Sequence, residues 1–298
     1  MTTASLKVAS CAKINLGLRV LGRRPDGYHE LNTTLQAIDL CDEIELEEGE
    51  GLSLAVEGRF PVPPDETNLV LRAARALSER YAGHGARMML RKSIPAGSGL
   101  GGGSSNAAAT LLGLDKLWNL QADPGVLYAI ARRLGMDVPF FLYGGACLAV
   151  GRGDEVLPLP DRKPWPVVVV WPGVGLSTRK VYEALPLPLT RPRILSSMKG
   201  FVPGRSDESA APDVINDLEE TAFQMVPAMR RLKDRLIGSG ATASAMSGSG
   251  SAVFGMFSST HEADRVAASM SSGDVAAFSC LTLSRDAYRL NLFKRSRT

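Results

Sequence analysis

The chain has 298 residues, of which 45% are hydrophobic and 22% are charged, and its formal net charge is +3. This composition excludes a disordered or fibrous chain, and the length allows two domains that each bury a core. Positive and negative residues are nearly balanced, and we interpret the short basic tail at residues 294–297 as a solvated chain end. We therefore expect a globular protein without a nucleic-acid partner.

The four cysteines and three histidines limit the chemistry further. The cysteines are scattered without a C-x-x-C spacing, and no cluster of metal ligands is visible, so the sequence predicts no protein-bound metal site. The longest purely apolar run, residues 167–171, is far too short to cross a bilayer, and the N-terminus lacks the apolar core of a signal peptide. These features favour a reducing cytoplasm and give no reason to expect a membrane partner.

Strands dominate the first eighty residues. Apolar and polar side chains alternate over residues 6–20, which predicts a strand with one apolar and one polar face. A turn at residues 24–27 leads to an antiparallel meander of three further strand candidates, at residues 31–40, 43–47 and 52–56. A helix is predicted over residues 68–81, because its apolar residues recur on one face.

The following fifty residues are mainly helical and contain the most informative segment. A strand at residues 88–93 leads into the run P-A-G-S-G-L-G-G-G-S-S, residues 95–105, which continues into a helix predicted at residues 105–117. A glycine-rich loop at a helix start directs free backbone N–H groups and the positive end of the helix dipole toward one point, which favours an oligophosphate. A flexible linker does not continue into an amphipathic helix, so we predict a nucleotide-binding loop. A second helix is predicted at residues 124–134.

Two familiar nucleotide-binding motifs differ from this loop. The pattern G-x-x-x-x-G-K-[ST] fails, because no lysine precedes Ser104 or Ser105. The dinucleotide pattern G-x-G-x-x-G matches the loop on paper, but it also requires an acidic residue at the end of a second strand. Asp123 is at a passable distance but precedes P-G-V-L, which indicates a helix N-cap instead. The dinucleotide interpretation is therefore weak.

The two halves of the chain are predicted to be separate domains. Two strands within residues 146–159 are interpreted as a closing hairpin, and the proline-rich residues 158–166 follow as a domain boundary. The mixture of strands and helices is typical of an α+β protein rather than of a regular alternation of both. We therefore expect an N-terminal domain of residues 1–157 and a C-terminal domain of residues 158–298.

The second half is predicted to mix strands, helices and one long loop. Another proline-rich segment, residues 186–203, is interpreted as a long variable loop. The regular elements expected around it are a strand, a short helix and a longer helical stretch interrupted at Pro227, at residues 167–171, 180–184 and 214–236.

Three segments together resemble the motifs of the GHMP kinase superfamily of ATP-dependent small-molecule kinases. The glycine-rich loop resembles that superfamily's phosphate-binding motif, P-x-x-x-G-L-G-S-S. The segment A-K-I-N-L at residues 12–16 resembles its N-terminal motif, and M-S-G-S-G-S-A-V-F at residues 246–254 resembles its third motif. The motifs occur in the family's order and span nearly the whole chain, which makes the resemblance far more specific than any one of them.

The resemblance implies an α+β, two-domain GHMP kinase-like fold, with an N-terminal ribosomal protein S5 domain 2-like domain and a C-terminal ferredoxin-like α+β domain. Within the superfamily, three segments are similar to the branch whose alcohol substrate carries a cytidine diphosphate in the non-mevalonate isoprenoid route, at residues 12–18, 24–30 and 135–142. That branch uses ATP and Mg²⁺ to phosphorylate the 2-hydroxyl of its substrate. Met136 departs from the small residue usual in the branch and leaves Asp137 in place.

The resemblance also implies that Lys13 and Asp137 are the catalytic pair. Asp137 is expected to accept the hydroxyl proton, while Lys13 keeps the carboxylate ionised and helps to bind the transferring phosphate. Phosphoryl transfer to an alcohol needs in-line positioning, neutralised charge and a proton acceptor, and these side chains suit it. Without the resemblance, the residues alone favour a turn acid for Asp137 and an exposed strand lysine for Lys13.

The nucleotide is expected to contact the glycine-rich loop and the start of the preceding helix. Asn68 matches a family position near the adenine. The hydroxyls of Ser104 and Ser105 are placed to touch the triphosphate or its magnesium, although both residues could instead cap the helix. The complete expected set is Asn68, Pro95, Gly97, Gly99, Leu100, Gly101, Gly102, Gly103, Ser104 and Ser105.

The alcohol substrate is expected to contact a second group of residues. The resemblance implies that His29 hydrogen-bonds the cytosine edge, that Tyr28 lines the same pocket, and that Tyr182 supplies a stacking face. Asn15 and Asp137 complete the expected substrate contacts. From the residues alone, His29 could equally be a solvated loop histidine.

Several alternatives remain open on the sequence. A kinase of the same superfamily that acts on homoserine, mevalonate or a sugar would have no nucleobase for Tyr28 and His29 to bind. A catalytically silent nucleotide-binding regulator would also keep the fold. The loop at residues 247–251 is expected to bring backbone N–H groups to the substrate, although a tight turn before a strand explains it as well. We expect a monomer or weak homodimer whose partner is a small-molecule cytidylyl substrate.

Overall fold

A computed structural model describes residues 5–81, 83–186 and 213–293 of the chain. Apart from its first residue, the long loop predicted at residues 186–203 lies outside these ranges, as does the basic tail at residues 294–297. Within the described ranges, no helix is long and apolar enough to span a membrane.

Both halves of the chain contain strands and helices. The strands, in chain order, are β1 (Ser5–Arg23), β2 (His29–Gly49), β3 (Leu52–Gly58), β4 (Gly85–Lys92), β5 (Ala146–Gly151), β6 (Glu155–Pro158), β7 (Pro166–Trp171), β8 (Ile215–Asn216), β9 (Ala243–Met246), β10 (Val253–Met256) and β11 (Ala276–Leu281). The helices are α1 (Leu69–Arg80), α2 (Gly102–Leu117), α3 (Pro124–Leu134), α4 (Val138–Tyr143), α5 (Thr178–Glu183), α6 (Glu219–Met225), α7 (Ala228–Gly238), α8 (Thr260–Met270) and α9 (Arg285–Leu292).

Within the described ranges, the first sheet has seven strands, and its order differs from the predicted meander. The main path is β3-β4-β2-β1-β8, and β5 pairs with both β2 and β6. β1 and β2 form a long antiparallel pair, but β3 lies parallel to β4, which separates it from β2. Parallel neighbours need a crossover connection, and α1 supplies it. The prediction of a simple antiparallel meander is therefore wrong at β3.

Several predicted boundaries also change. The two strands predicted at residues 31–40 and 43–47 are one continuous strand, β2. α2 begins at Gly102, three residues earlier than predicted. Glycine is a poor helix former, so the residue types gave no sign of this start, and packing in the folded chain overrides that preference. The stretch at residues 214–236 begins with β8, which pairs with β1, before α6 and α7. The six-residue helix α4 is too short to show a periodic pattern and was not predicted.

Among the described residues, the second sheet has four antiparallel strands in the order β11-β7-β10-β9. α6 and α7 lie between β7 and β9 in the chain, and α8 lies between β10 and β11. Numbered within this half, the strand order is 4-1-3-2 with a helical connection after the first and third strands. This is the ferredoxin-like α+β arrangement expected for the C-terminal half.

The predicted boundary after residue 157 falls at the end of β6, where the chain leaves the first sheet for the second. Two later segments return to the first half: β8 joins the first sheet, and Tyr288 of α9 is buried in that half's core. A separate core cluster contains Ile14 from β1 together with Val169 and Phe254 from the second sheet. The two halves therefore share apolar packing, and the boundary remains a prediction about chain order.

Cys11 and Cys41 are paired as a disulfide between β1 and β2. They are 30 residues apart in sequence and become direct neighbours only through the register of the two strands. The other two cysteines, Cys147 and Cys280, are buried and free. No local spacing in the sequence predicts the pair.

Candidate active site

The glycine-rich loop, residues 95–104, follows β4 and includes the first three residues of α2, whose backbone donors lack partners in the described part of the chain. Gly101 is the N-cap of α2 and is in the left-handed conformation with φ of 71°. The N–H groups of Gly102, Gly103 and Ser104 have no acceptor among the described residues, because the first amides of a helix lack an intrahelical partner. Three donors and the positive end of the helix dipole are thus available to an anion.

Gly101 also lets the loop approach the residues that carry chemistry. A methyl group at this position would lie 2.9 Å from Phe141 Cζ and 3.1 Å from Lys13 Cγ. Both the positive φ and the lack of space therefore require glycine. Pro95 and Leu100 are buried, whereas Gly97 is exposed. The loop is therefore packed against the protein at some residues and exposed to solvent at others.

A second loop, residues 247–251 between β9 and β10, lies against the glycine-rich loop. The Ser247 hydroxyl donates to the Gly99 carbonyl over 2.9 Å, and the Ala252 N–H donates to the Ser98 carbonyl over 2.9 Å. These hydrogen bonds connect the second sheet to the start of α2. The two motifs, which are about 150 residues apart in sequence, form one wall of the site.

Lys13 lies at the junction of the two loops. Its backbone N–H donates to the Leu100 carbonyl over 3.0 Å, and its side chain is only 2% exposed. Lys13 Nζ lies 2.6 Å from Asn15 Oδ1 and 3.6 Å from Asp137 Oδ2. A methyl group at Gly248 would lie 3.1 Å from the same nitrogen. The ammonium group therefore lies beside the second loop as well as beside the carboxylate.

Asp137 occupies the N-cap position of α4, yet its side chain makes no capping hydrogen bond. The carboxylate is 39% exposed and faces Lys13 instead. Gly135, two residues earlier, is close to Ser104: a methyl group there would lie 3.9 Å from the Ser104 hydroxyl. The turn that carries Asp137 thus adjoins the first turn of α2, as the predicted catalytic arrangement requires.

The charges of the site act on two neighbouring groups. Burial lowers the pKa of Lys13 below its ordinary value, and the nearby Asp137 carboxylate opposes this effect. Burial and then the Asp137 charge raise the pKa of Tyr182, so its phenol stays protonated. An anion bound at the glycine-rich loop would favour the charged form of Lys13, since an opposite charge at a few ångströms raises a lysine pKa.

Two of the three residues predicted to bind cytosine, His29 and Tyr182, contact each other. The rings of His29 and Tyr182 are stacked, with centroids 5.0 Å apart and planes inclined by 29°. Burial, and then the charge of Arg23, lower the pKa of His29, so the imidazole is neutral at pH 7 and can both donate and accept. Tyr28 is 48% exposed, and the Arg152 guanidinium lies 5.2 Å from its ring centroid.

Asn15 is held in one orientation by β2. Its Nδ2 donates to the Thr33 hydroxyl over 2.8 Å, and that hydroxyl donates to the Gly17 carbonyl over 2.7 Å. The amide oxygen of Asn15 is consequently directed at Lys13 Nζ. The observed role of Asn15 is to orient Lys13, and its contact with substrate remains a prediction.

Two of the predicted nucleotide residues are engaged elsewhere. Ser105 is fully buried, accepts a hydrogen bond from Ser10 and donates to the Cys11 carbonyl over 2.7 Å. Its hydroxyl is thus bonded to β1, and its contact with the triphosphate remains a prediction. Asn68 caps α1: its Oδ1 accepts from the Val70 N–H, and its Nδ2 donates to a loop carbonyl. Its contact with adenine remains a prediction.

Asn216 supports the site but was not identified from the sequence. This 6% exposed side chain donates to the carbonyls of Met246 and Gly248 over 2.8 and 2.7 Å, and accepts from the Leu218 N–H. It thereby fixes the second loop beside Lys13. The sequence pattern placed it in a helix, and a buried amide that bonds distant carbonyls leaves no local signal.

Both halves of the chain match described families. The GHMP kinases N terminal domain matches residues 68–145, and the GHMP kinases C terminal domain matches residues 204–275. A 4-diphosphocytidyl-2-C-methyl-D-erythritol kinase of Syntrophus aciditrophicus is 44% identical over 261 residues, which cover 87% of this chain and 92% of the relative. The enzyme of the same name from Geobacillus kaustophilus is 40% identical over 267 residues, which cover 88% and 91%.

Solved structures agree with these matches. A crystal structure of a 4-(cytidine 5'-diphospho)-2C-methyl-D-erythritol kinase has a TM-score of 0.78 and 36% identity, and covers 93% of this chain and 99% of its own. A homoserine kinase from Cytophaga hutchinsonii has a TM-score of 0.69 at 20% identity, covering 95% and 96%. At that identity the second structure shows a common fold alone. The two-domain α+β fold expected from the motifs is confirmed.

Proposed function

This chain belongs to the GHMP kinases and, within them, to the family of 4-diphosphocytidyl-2-C-methyl-D-erythritol kinases, and we propose that it transfers the γ-phosphoryl group of ATP to the 2-hydroxyl of that family's substrate. The observation that carries the proposal is the pair of Lys13 and Asp137, 3.6 Å apart and beside the glycine-rich loop. An ionised carboxylate next to a phosphate site is suited to accept a hydroxyl proton.

Each part of the wall has a role in this proposal. The free amides of Gly102, Gly103 and Ser104 hold phosphate oxygens, and Lys13 neutralises charge that develops on the transferring group. Asp137 takes the proton of the attacking hydroxyl. Because Lys13 is oriented by Asn15 and by the second loop, the reacting groups are positioned before substrate arrives.

Mg²⁺ is part of the proposal and would be held mainly by the triphosphate. Asp137 and Ser104 carry oxygens near the first turn of α2 that could complete the coordination of the ion. No group of three metal-binding side chains occurs among the described residues. Mg²⁺ commonly keeps several waters and takes only one or two carboxylates besides phosphate oxygens. When bound, it would supply charge neutralisation.

The cytidylyl end of the substrate is assigned to the residues around Tyr182, whose phenol lies within reach of the Asp137 charge. The neutral His29 can pair with the cytosine edge, and the rings of Tyr28 and Tyr182 offer stacking surfaces. The proposal also keeps three expectations that rest on sequence alone: a cytoplasmic location, a monomer or weak homodimer, and no nucleic-acid partner.

A panel of acceptors tests the proposed reaction. ADP formation from ATP is measured with 4-diphosphocytidyl-2-C-methyl-D-erythritol, homoserine, mevalonate and a hexose, and the phosphorylated product is identified by phosphorus NMR. We expect rapid turnover with the cytidylyl alcohol alone. Preferred turnover of another acceptor would contradict the substrate, and ATP binding without turnover of any acceptor would indicate a silent regulator.

A further inference from the structure

A buried polar cluster lies behind the glycine-rich loop and has no part in the proposed phosphoryl transfer. Its centre is the carboxylate of Asp42 on β2, whose side chain is fully buried. Asp42 Oδ2 lies 2.6 Å from Lys92 Nζ and accepts from the Asn106 amide over 2.9 Å. Asp42 Oδ1 accepts from the N–H groups of Ser93 and Ile94 over 2.7 and 2.8 Å. One carboxylate thus accepts four hydrogen bonds.

The four donors come from both ends of the loop. Ser93 and Ile94 lie between the end of β4 and the loop. Lys92, the last residue of β4, also donates to the Ile94 carbonyl over 2.7 Å. Asn106 belongs to the first turns of α2, which leaves the loop. Asp42 therefore connects the strand that enters the loop to the helix that leaves it.

Asn106 extends the same cluster to the strand of Lys13. Its Nδ2 also donates to the Ser10 hydroxyl over 2.8 Å, and Ser10 is bonded to the Ser105 hydroxyl. Ser105 in turn donates to the Cys11 carbonyl, two residues before Lys13 on β1. The helix that presents the free amides and the strand that presents the ammonium group are thus held by one set of hydrogen bonds.

The charges of the cluster are enclosed and compensated. The Lys92 side chain is 3% exposed, and a methyl group at Gly102 would lie 3.0 Å from its Nζ. A buried ion pair contributes little net stability compared with apolar packing, because both ions lose their hydration. The four donors do bind the carboxylate in fixed directions, and this fixes the positions of the segments that carry them. We therefore expect the cluster to fix the shape of the loop rather than to add stability.

We propose that Asp42 and Asn106 are positioning residues for the nucleotide, which hold the two ends of the glycine-rich loop so that the amides of Gly102, Gly103 and Ser104 converge on the triphosphate. This inference rests on the proposed nucleotide site. Neither residue contacts the reacting groups, and both act through the backbone of the loop.

The variant Asn106→Ala tests the inference without stranding a charge, because the ion pair of Asp42 and Lys92 stays intact. Asp42→Asn is a weaker first choice, since it leaves a buried ammonium group unpaired and endangers folding. For Asn106→Ala we expect the KM for ATP to rise roughly ten-fold. A change of this size corresponds to the free energy of one hydrogen bond to a charged group. The KM for the cytidylyl substrate should stay within about two-fold of wild type.

Gln36→Ala is the matched control. The Gln36 amide is also buried and donates to the carbonyls of Ala37, Gly145 and Leu283, none of which belongs to the glycine-rich loop. Both variants should unfold at a lower temperature than wild type, but only Asn106→Ala should change the KM for ATP. An Asn106→Ala variant that loses stability while keeping the wild-type KM for ATP overturns the inference.

Equilibrium binding of ATP separates this inference from the proposed function. It is measured by calorimetry on the wild-type protein and both variants, without alcohol substrate. Binding by wild type and weaker binding by Asn106→Ala support the inference. Equal binding by all three contradicts the inference alone, whereas a wild-type protein that does not bind ATP contradicts the nucleotide site itself.

Discussion

Lys13 combines deep burial with a positive charge, and this has a measurable consequence for stability. Its pKa is lower in the folded chain than in an unfolded one, so folding is disfavoured while the group is charged. This cost is present at neutral pH and disappears as the pH rises through the folded pKa toward the ordinary value of about 10.4. The buried ammonium group of Lys13 therefore lowers the folding stability of the chain, although the proposed reaction needs it.

We therefore predict that Lys13→Met abolishes turnover and raises the thermal unfolding temperature at pH 7. The difference from wild type should shrink as the pH approaches 10. Lys7→Met is the control, because Lys7 lies on the same strand with a 38% exposed side chain and should change neither quantity. A lower unfolding temperature for Lys13→Met, measured by calorimetry, would contradict this account.

His29 leads to a prediction about pH. Its pKa lies below the ordinary histidine value of about 6.5, so it is neutral through the physiological range and becomes charged only in more acidic solution. If the neutral ring pairs with cytosine, the KM for the cytidylyl substrate should be flat above about pH 6.5 and rise below it. The KM for ATP should not follow this change.

Two variants check the assignment of that titration. His29→Ala should raise the KM for the cytidylyl substrate and remove its dependence on pH. His84→Ala should leave the profile unchanged, because His84 packs on Trp118 and belongs to no part of the site. An acid-side rise that persists in His29→Ala would assign the titration to another group.

The two loops of the site were predictable to different degrees. The glycine-rich loop and the N-cap of α3 at Asp123 follow from local residue types, and the structure confirms the cap. The contact between the loops depends on the register of β9 and β10 with the rest of the second sheet, and no local pattern encodes it. Ser105 shows the same limit, since its position in the motif gave no sign that its hydroxyl faces β1.

Gly99→Ala tests the contact between the loops. Gly99 has φ of 78°, and a methyl group there would overlap the carbonyl oxygen of Ser247 and lie 2.9 Å from that of Gly250. We expect a higher KM for ATP and a loss of about 1–3 kcal/mol in the free energy of unfolding, from backbone strain and loop displacement. Denaturant titration and steady-state kinetics measure the two effects.

Gly22→Ala is the matched control for this substitution. A methyl group at Gly22, on β1, would meet no atom within 4 Å. It should leave the KM for ATP unchanged and alter stability little. If Gly99→Ala behaves in the same way, the close approach of the loops has no part in nucleotide binding.

For the molecule as a whole, the sequence predicted the α+β class, the two halves and the active-site motifs, because each depends on composition or on short segments. It did not predict the parallel pairing of β3 with β4, the return of β8 to the first sheet, or the pairing of Cys11 with Cys41. Each of these is a contact between distant segments that only the complete topology determines. The buried cluster around Asp42 belongs to the same group.

The first half of the chain brings Lys13, Asp137 and the glycine-rich loop together, and the second half adds the loop at residues 247–251. The variant Asp137→Asn tests this arrangement most directly. Asparagine keeps the shape of the side chain but cannot accept the hydroxyl proton. Asp123→Asn is the control, because asparagine can also cap α3 and turnover should remain normal.

The decisive measurement is the rate of phosphoryl transfer to 4-diphosphocytidyl-2-C-methyl-D-erythritol under single-turnover conditions, together with the dissociation constants of both ligands. We predict that Asp137→Asn binds ATP and the alcohol nearly as wild type does, but transfers the phosphoryl group about 10²- to 10⁴-fold more slowly. Transfer at a near-normal rate by Asp137→Asn would show that Asp137 is not the proton acceptor.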